Sequence, residues 1–248
     1  MRLTDEAYWN EGYNDQPLGE AIGGPLENFL GAHLTSITNA TCLEIGSFPG
    51  SYLPVIGRKG YNLSGIDFNK RNERELPQWL QSLGLPVGDF WSGDFFEFIK
   101  DHTARYDLVC SFGFIEHFEN FPEVIEAHVK LLKPSGKIVI TTPNFRGWMQ
   151  YWPHRLLDNE NLKKHHIKSM NPAAWKKQLE ALGFTVTFAG YFGKYYFWTD
   201  DTAKRSGFEK FMLKTVNRII FNLNKLIKKA GIESKSYSAF CGIVAERK

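Results

Sequence analysis

The chain reads as an α/β protein built on a mostly parallel, doubly wound sheet. Three features carry that expectation. Apolar runs with β-branched content alternate with helix-patterned segments, the mark of βαβ units. Two of these runs, "DLVCSFGF" and "GKIVITTPNF", are continuous enough for central strands covered on both faces. The first run, "CLEIGSFPG" from Cys42 to Gly50, ends in a glycine turn, which lets backbone approach a ligand at the carboxyl edge of such a sheet.

Taken in order, the apolar runs place strands near 40–46, 61–67, 88–92, 106–112, 136–142, 184–192 and 237–246. Between the fourth and fifth, Asn120-Phe121-Pro122-Glu123 opens a helix with Asn120 as N-cap and proline in the first turn, and "KPSG" closes it. Its apolar face is Phe121, Val124, Ile125, Leu131 and Leu132, and His128 on that face reads as a satisfied core histidine. Residues 1–37 precede the first strand as a helical lid, and 38–248 form the main domain. Within it, 143–171 reads as a long loop rich in aromatics and histidine, of the kind that serves as a binding segment. A basic helical insertion at 203–231 stands before the last strand.

Composition excludes several classes. At 248 residues, 43% hydrophobic and 23% charged, the chain fits one well-cored globular unit, and no apolar run approaches the ~20 residues of a membrane span. The start "MRLTDEAYWNEGYNDQ" lacks the apolar core of a secretory signal. Cys42, Cys110 and Cys241 are odd in number and sit in strand-like runs, where a thiol acts as a small buried hydrophobe. A reducing cytoplasm is the expectation.

The turn carries an acid, Glu44, just before Gly46, and Ser47, Phe48 and Pro49 separate Gly46 from Gly50. A carboxylate repels a pyrophosphate, and this spacing matches neither the dinucleotide fingerprint nor the P-loop. S-adenosylmethionine fits better, because Glu44 favours its cationic end and backbone N–H groups after Gly46 favour its carboxylate. A tight strand-to-helix turn with an incidental acid is the plain alternative. Asp67, after the second strand, is placed to accept from ribose hydroxyls. Asp94, after the third, is placed to accept from an adenine amino group between Phe68 and Phe95.

On these residues the sequence resembles the class I S-adenosylmethionine-dependent methyltransferases. The matching stretches are "CLEIGSFPG", "GIDF", "SGDFF", "YDLVCSFGFIEHF", "LLKPSGKIVITTPNF", "NPAAWKKQLEALGFTVTFAG" and the final strand "AFCGIVAERK". The resemblance implies a Rossmann-like, seven-stranded sheet of order 3-2-1-4-5-7-6 with the last strand antiparallel. It implies S-adenosyl-L-methionine as cofactor, held by Glu44, Gly46, Ser47, Gly50, Asp67, Phe68, Asp94, Phe95, Ser111 and Phe112. It also implies methyl transfer to a small-molecule acceptor, a hydroxyl of a sugar, glycan or secondary metabolite, with transfer to a small amine or a noncatalytic cofactor-binding protein as the alternatives. Some relatives bind magnesium beside the acceptor, but no cysteine or carboxylate cluster accompanies the histidines here, so no metal is expected.

His117, in "FIEHF" beyond the fourth strand, is at the edge where the acceptor's proton must be removed, and an imidazole suits that task. Capping of the next helix by Glu116-His117 is the alternative. His166, in "KKHHIKSMN", matches the histidine with which relatives roof the acceptor pocket, while His165 also fits a solvated basic loop. Two adjacent histidines cannot ligate one metal as an i,i+4 pair does. Trp148 and Tyr151 are candidate acceptor walls, and Tyr13, with Tyr8 and Trp9, a candidate lid over the cofactor.

From Lys204 to Lys229 there are eight basic residues against Glu209 alone, although the chain's formal charge is only +3. Phe208, Phe211, Met212, Val216, Ile219, Ile220, Leu223, Leu226 and Ile227 recur at steps of three and four. Helix 208–229 therefore suits an anionic membrane surface, or packing on the domain or a second subunit. The "NPPY" of base-modifying relatives is replaced by "SFGF", which argues against a nucleic-acid partner.

Overall fold

The computed structural model describes residues 2–13, 15–195, 206–230 and 233–247. Seven strands, β1 (Ala40–Ile45), β2 (Tyr61–Asp67), β3 (Val87–Ser92), β4 (Tyr106–Phe112), β5 (Leu132–Pro143), β6 (Phe184–Phe192) and β7 (Phe240–Arg247), form one sheet. Its order is β3-β2-β1-β4-β5-β7-β6, as the resemblance implied. The first five strands run parallel and β7 is antiparallel to both of its neighbours.

Eleven helices connect them among the described residues. α1 (Glu6–Tyr13) and α2 (Pro25–His33) precede β1; α3 (Leu53–Gly57) follows it; α4 (Arg71–Arg74) and α5 (Leu76–Ser82) lie between β2 and β3. α6 (Phe95–Asp101) and α7 (Phe121–Lys130) flank β4. α8 (Trp148–Leu157), α9 (Asn159–Lys163) and α10 (Pro172–Ala181) follow β5, and α11 (Gly207–Ala230) precedes β7.

Because strand side chains alternate, each central strand feeds two cores. Leu43, Ile45, Val109, Ile138, Ile140 and Ile243 pack on one face with Val124, Ile125 and Trp175. Cys42, Leu108, Cys110, Val139 and Val244 pack on the other with Leu30, Leu53 and Leu80. All three cysteines are buried free thiols, and Cys42 Sγ lies 3.8 Å from Cys110 Sγ on the second face. His128 is the satisfied core histidine expected: its Nδ1 lies 2.7 Å from the Val124 carbonyl and its Nε2 2.9 Å from Ser111 Oγ.

Three expectations are corrected. Segment 143–171 is not an open loop, since α8, α9 and a short 3-10 turn at Ile167–Ser169 fill most of it. Asn120 makes no side-chain bond to the backbone of α7; its amide donates to Glu123 instead. β5 starts earlier than 136, because Leu132 pairs with Tyr106 before the ladder shifts and resumes at Lys137.

In α11, Leu213 and Val216 pack against Tyr195 and Tyr237. Phe208, Phe211 and Ile219 remain exposed beside Lys210, Lys214 and Arg218. Expected stripe residues Ile220, Leu223, Leu226 and Ile227 have side chains outside the described set, as do residues 196–205 of the insertion. No helix among the described residues is long and apolar enough to cross a membrane.

Candidate active site

The carboxyl ends of β1, β2 and β4 open onto a cavity of about 340 Å³. The turn after β1 is forced by its glycines: Gly46 has φ 73° and a Cβ there would stand 3.0 Å from the Phe114 ring, while one at Gly50 would collide with Leu76. Ser47 Oγ donates to Asn72 Oδ1 at 2.7 Å and pins the turn to α4. Three N–H groups of this turn are already engaged within the fold. Gly46 and Ser47 donate to the Ile66 carbonyl, and Phe48 donates to Asp67 Oδ2 at 3.1 Å.

Asp67, at the end of β2, faces the cavity with Phe68 and Phe95 nearby. Burial raises its carboxyl to about 6, against the pull of the Asn69, Phe48 and Phe68 N–H groups. Gly46, Phe112, Tyr13 and His117 line the same cavity, as do Tyr8 and Trp9. Glu44 does not reach it. It lies buried in β1 with Oε2 unpartnered, and burial, then the nearby Asp67, pushes its carboxyl well above the usual range.

Other expected contacts stand outside the wall. Asp94 caps α6 by accepting from the Phe96 and Glu97 N–H groups, and pairs with Arg2 at 2.7 Å, so its oxygens are already engaged. Ser111 points into the core toward His128, because it shares the Val109 face of β4. Ser47 and Gly50 shape the turn from behind. Trp148 is 63% exposed, and Tyr151 packs against the core beneath α8 rather than facing the cavity.

The acceptor side departs most from expectation. His165, not His166, reaches the cavity. His166 is turned aside, with Nδ1 2.7 Å from Ser169 Oγ and its N–H donating to the Glu116 carbonyl at 2.6 Å. The rings of His117 and His165 lie 4.9 Å apart, and Trp9 meets His117 edge-on at 5.0 Å. α1 is strapped over this corner: Leu3 donates its N–H to the His117 carbonyl at 2.8 Å, and Lys164 Nζ sits 4.5 Å from the Tyr8 ring centroid.

His117 Nδ1 faces the Lys164 carbonyl at 2.9 Å, and His165 Nδ1 faces the Asn161 carbonyl at 2.7 Å. A carbonyl only accepts, so the neutral rings carry their protons on Nδ1 and keep lone pairs on Nε2. Burial lowers His117 to about 4 and His165 to about 3. Glu116 completes the corner with both carboxylate oxygens buried and unpartnered, and burial raises it to about 8. In the sequence Glu116 reads only as a capping residue, and its neighbour His117 is the sole signal.

A cavity over the head of a 3-2-1-4-5-7-6 sheet, with an acid closing β2 and glycines after β1, defines a Rossmann-like fold with its ligand site at the carboxyl edge. Residues 21–188 match the family model described as "Methyltransferase domain", and the chain belongs to that family. A ubiquinone biosynthesis O-methyltransferase of Rickettsia canadensis is 26% identical over 113 residues, covering 46% of this chain and 47% of that protein. One of Acinetobacter baylyi is 23% identical over 146 residues, 55% of this chain and 57% of that protein. The chain thus spans about half the length of the curated relatives it matches. Among solved structures, an S-adenosylmethionine-dependent methyltransferase of Archaeoglobus fulgidus superposes with TM-score 0.57 at 20% identity, over 90% of this chain and 93% of the other. The [4+2]-cyclase SpnF superposes with TM-score 0.54 at 11% identity, over 97% and 91%. These likenesses share the fold.

Proposed function

We propose that the protein moves a methyl group from S-adenosyl-L-methionine to a hydroxyl of a small acceptor: a sugar, a glycan terminus or a ring-bearing secondary metabolite. Bound at the head of the sheet, the cofactor supplies the electrophilic methyl and its own leaving group. The observation that carries the reading is the polarity of the 340 Å³ cavity: Asp67, Phe68 and Phe95 at one end, His117 and His165 at the other.

Each end has a task in this scheme. Asp67 accepts from the ribose hydroxyls, and Phe68 and Phe95 wall the adenine. Gly46 keeps side-chain atoms out of the space needed by the methionine portion. His117 Nε2 takes the acceptor's proton; its low basicity as a buried ring means that proton transfer accompanies methyl transfer rather than preceding it. Trp9 and the strapped α1 shield that corner from water. A wider apolar hollow of about 1000 Å³, walled by Phe29, Phe188, Phe192 and Phe240, adjoins the cavity at Phe112, Gly113 and Pro143, and we place the remainder of the acceptor there. The O-methyltransferase names of the partial relatives support oxygen as the accepting atom.

The test is transfer of labelled methyl groups to matched hydroxyl-bearing and amine-bearing acceptor sets, with His117→Ala in parallel. Labelling of hydroxyl acceptors that falls in the variant is expected. Labelling of amines alone would move the accepting atom to nitrogen, and retained cofactor binding without turnover on any acceptor would indicate a binding protein.

A further inference from the structure

We propose that Glu116, His117 and His165 bind a divalent first-row transition-metal ion at the inner corner of the cavity. Each offers one ligand atom, and these atoms all lie within 4.8 Å of one another. Bonds of about 2.0–2.1 Å to an ion require donor atoms to stand roughly 3.4 Å apart, so the three close in by about 1.4 Å at most. Closure requires side-chain rotation, most readily of Glu116, whose carboxylate has no partner.

Three independent features point to an ion rather than to chance proximity. Both imidazoles have a backbone carbonyl at Nδ1, of Lys164 and Asn161, and the tautomer that donates there presents Nε2 as the lone-pair atom; for His117 that tautomer forgoes the Gly113 carbonyl. This is how ligating histidines are oriented in metal sites. Second, Glu116 is 1% exposed and neither carboxylate oxygen has a partner, a costly arrangement that a cation removes. Third, two imidazoles and one carboxylate on one side of an open cavity form a donor set suited to zinc, iron, cobalt or manganese, not to magnesium. The chain contributes the ligands from two segments, the turn after β4 and the α9 exit, so no local motif advertises the site.

An ion here leaves coordination positions facing the cavity for an oxygen ligand, a water or, resting on the methyl-transfer reading, the acceptor hydroxyl, whose acidity the ion raises. Ion binding and proton acceptance at His117 Nε2 exclude each other: without the ion His117 takes the proton, and with the ion bound the acidified hydroxyl would give its proton to solvent water.

The test uses the full chain, stripped with a chelator and dialysed. Zn²⁺ is titrated by calorimetry, and Cu²⁺ is followed by electron paramagnetic resonance. One Zn²⁺ per chain is expected, with nitrogen hyperfine structure from imidazole on the copper form. Glu116→Gln and His165→Ala each weaken the affinity by more than about 100-fold, beyond what loss of a ligand's hydrogen-bonding partner costs. Absence of saturable binding, a copper spectrum without imidazole nitrogen, or unchanged affinity in both variants would overturn the site. Circular dichroism checks the variants' folding, and the parent spectrum decides even where a variant is unfolded. No methyl donor or acceptor enters these measurements, so their failure leaves the methyl-transfer reading standing.

Discussion

Replacing Asp67 by asparagine separates affinity from stability in a way that only a cofactor-binding acid would show. Its carboxyl is raised to about 6 from an ordinary 3.8, chiefly by burial. A carboxyl more basic in the folded than in the unfolded protein stabilises the fold in acid, and that contribution is lost as pH rises from 3.8 to about 6. At about 1.4 kcal/mol per unit, the parent forfeits about 3 kcal/mol across that window, and Asp67→Asn, carrying no charge, keeps it. Binding moves the other way. On the proposed placement ribose hydroxyls donate to the carboxylate, so affinity for S-adenosylhomocysteine is expected to fall as Asp67 protonates, by about tenfold between about pH 7.5 and about pH 5. The variant loses charge-assisted hydrogen bonds together worth about 3 kcal/mol, roughly 100-fold in Kd, and its pH dependence flattens. Isothermal calorimetry at stepped pH, beside denaturant unfolding, measures both. Equal affinity of parent and variant at neutral pH would refute the placement of the nucleoside against Asp67.

Other perturbations have equally definite outcomes. His128, lowered to about 4 by burial, binds its proton more readily unfolded, so its contribution to stability is full above pH 6.5 and falls by about 3 kcal/mol on acidification to about 4. His128→Gln should therefore show a flatter stability profile between those pH values in denaturant titrations. Gly46→Ala forces a side chain into a left-handed conformation, here against Phe114, and should lower the melting temperature by an amount equivalent to about 1–2 kcal/mol while weakening cofactor binding. For α11, co-sedimentation with anionic but not neutral vesicles is expected, and is reduced by Phe211→Glu; concentration-dependent dimers without lipid binding would assign the exposed face to a second copy.

Much of this architecture is legible in the sequence because its signals are local. Strands β4 and β5 announce themselves as continuous apolar runs, and the Gly46 and Asp67 positions follow from where such runs end. Phe68, Phe95, Phe112 and His117 reach the cavity for the same reason: they follow or close a strand at its carboxyl end. What escapes is whatever depends on side-chain direction or on distant partners. Ser111 and Phe112 are neighbours, yet alternation sends the first into the core and the second to the cavity. Asp94 is positioned for a ligand but is taken up by the start of α6 and by Arg2, which arrives from the opposite end of the chain. α8 hides behind its interior Pro153 and an aromatic run without clear period. For the adjacent His165 and His166 the family resemblance favours the second, whereas the first lines the cavity. Their roles are set by α9, which carries the first to His117, and by Ser169, which holds the second away.

Calorimetric titration of the protein with S-adenosylhomocysteine, run beside an identical titration with NADH, tests the central claim most directly. The account predicts one saturable site per chain for the thioether, competed by S-adenosylmethionine, and no heat of binding from the dinucleotide. Saturable binding of NADH with none of S-adenosylhomocysteine would contradict it.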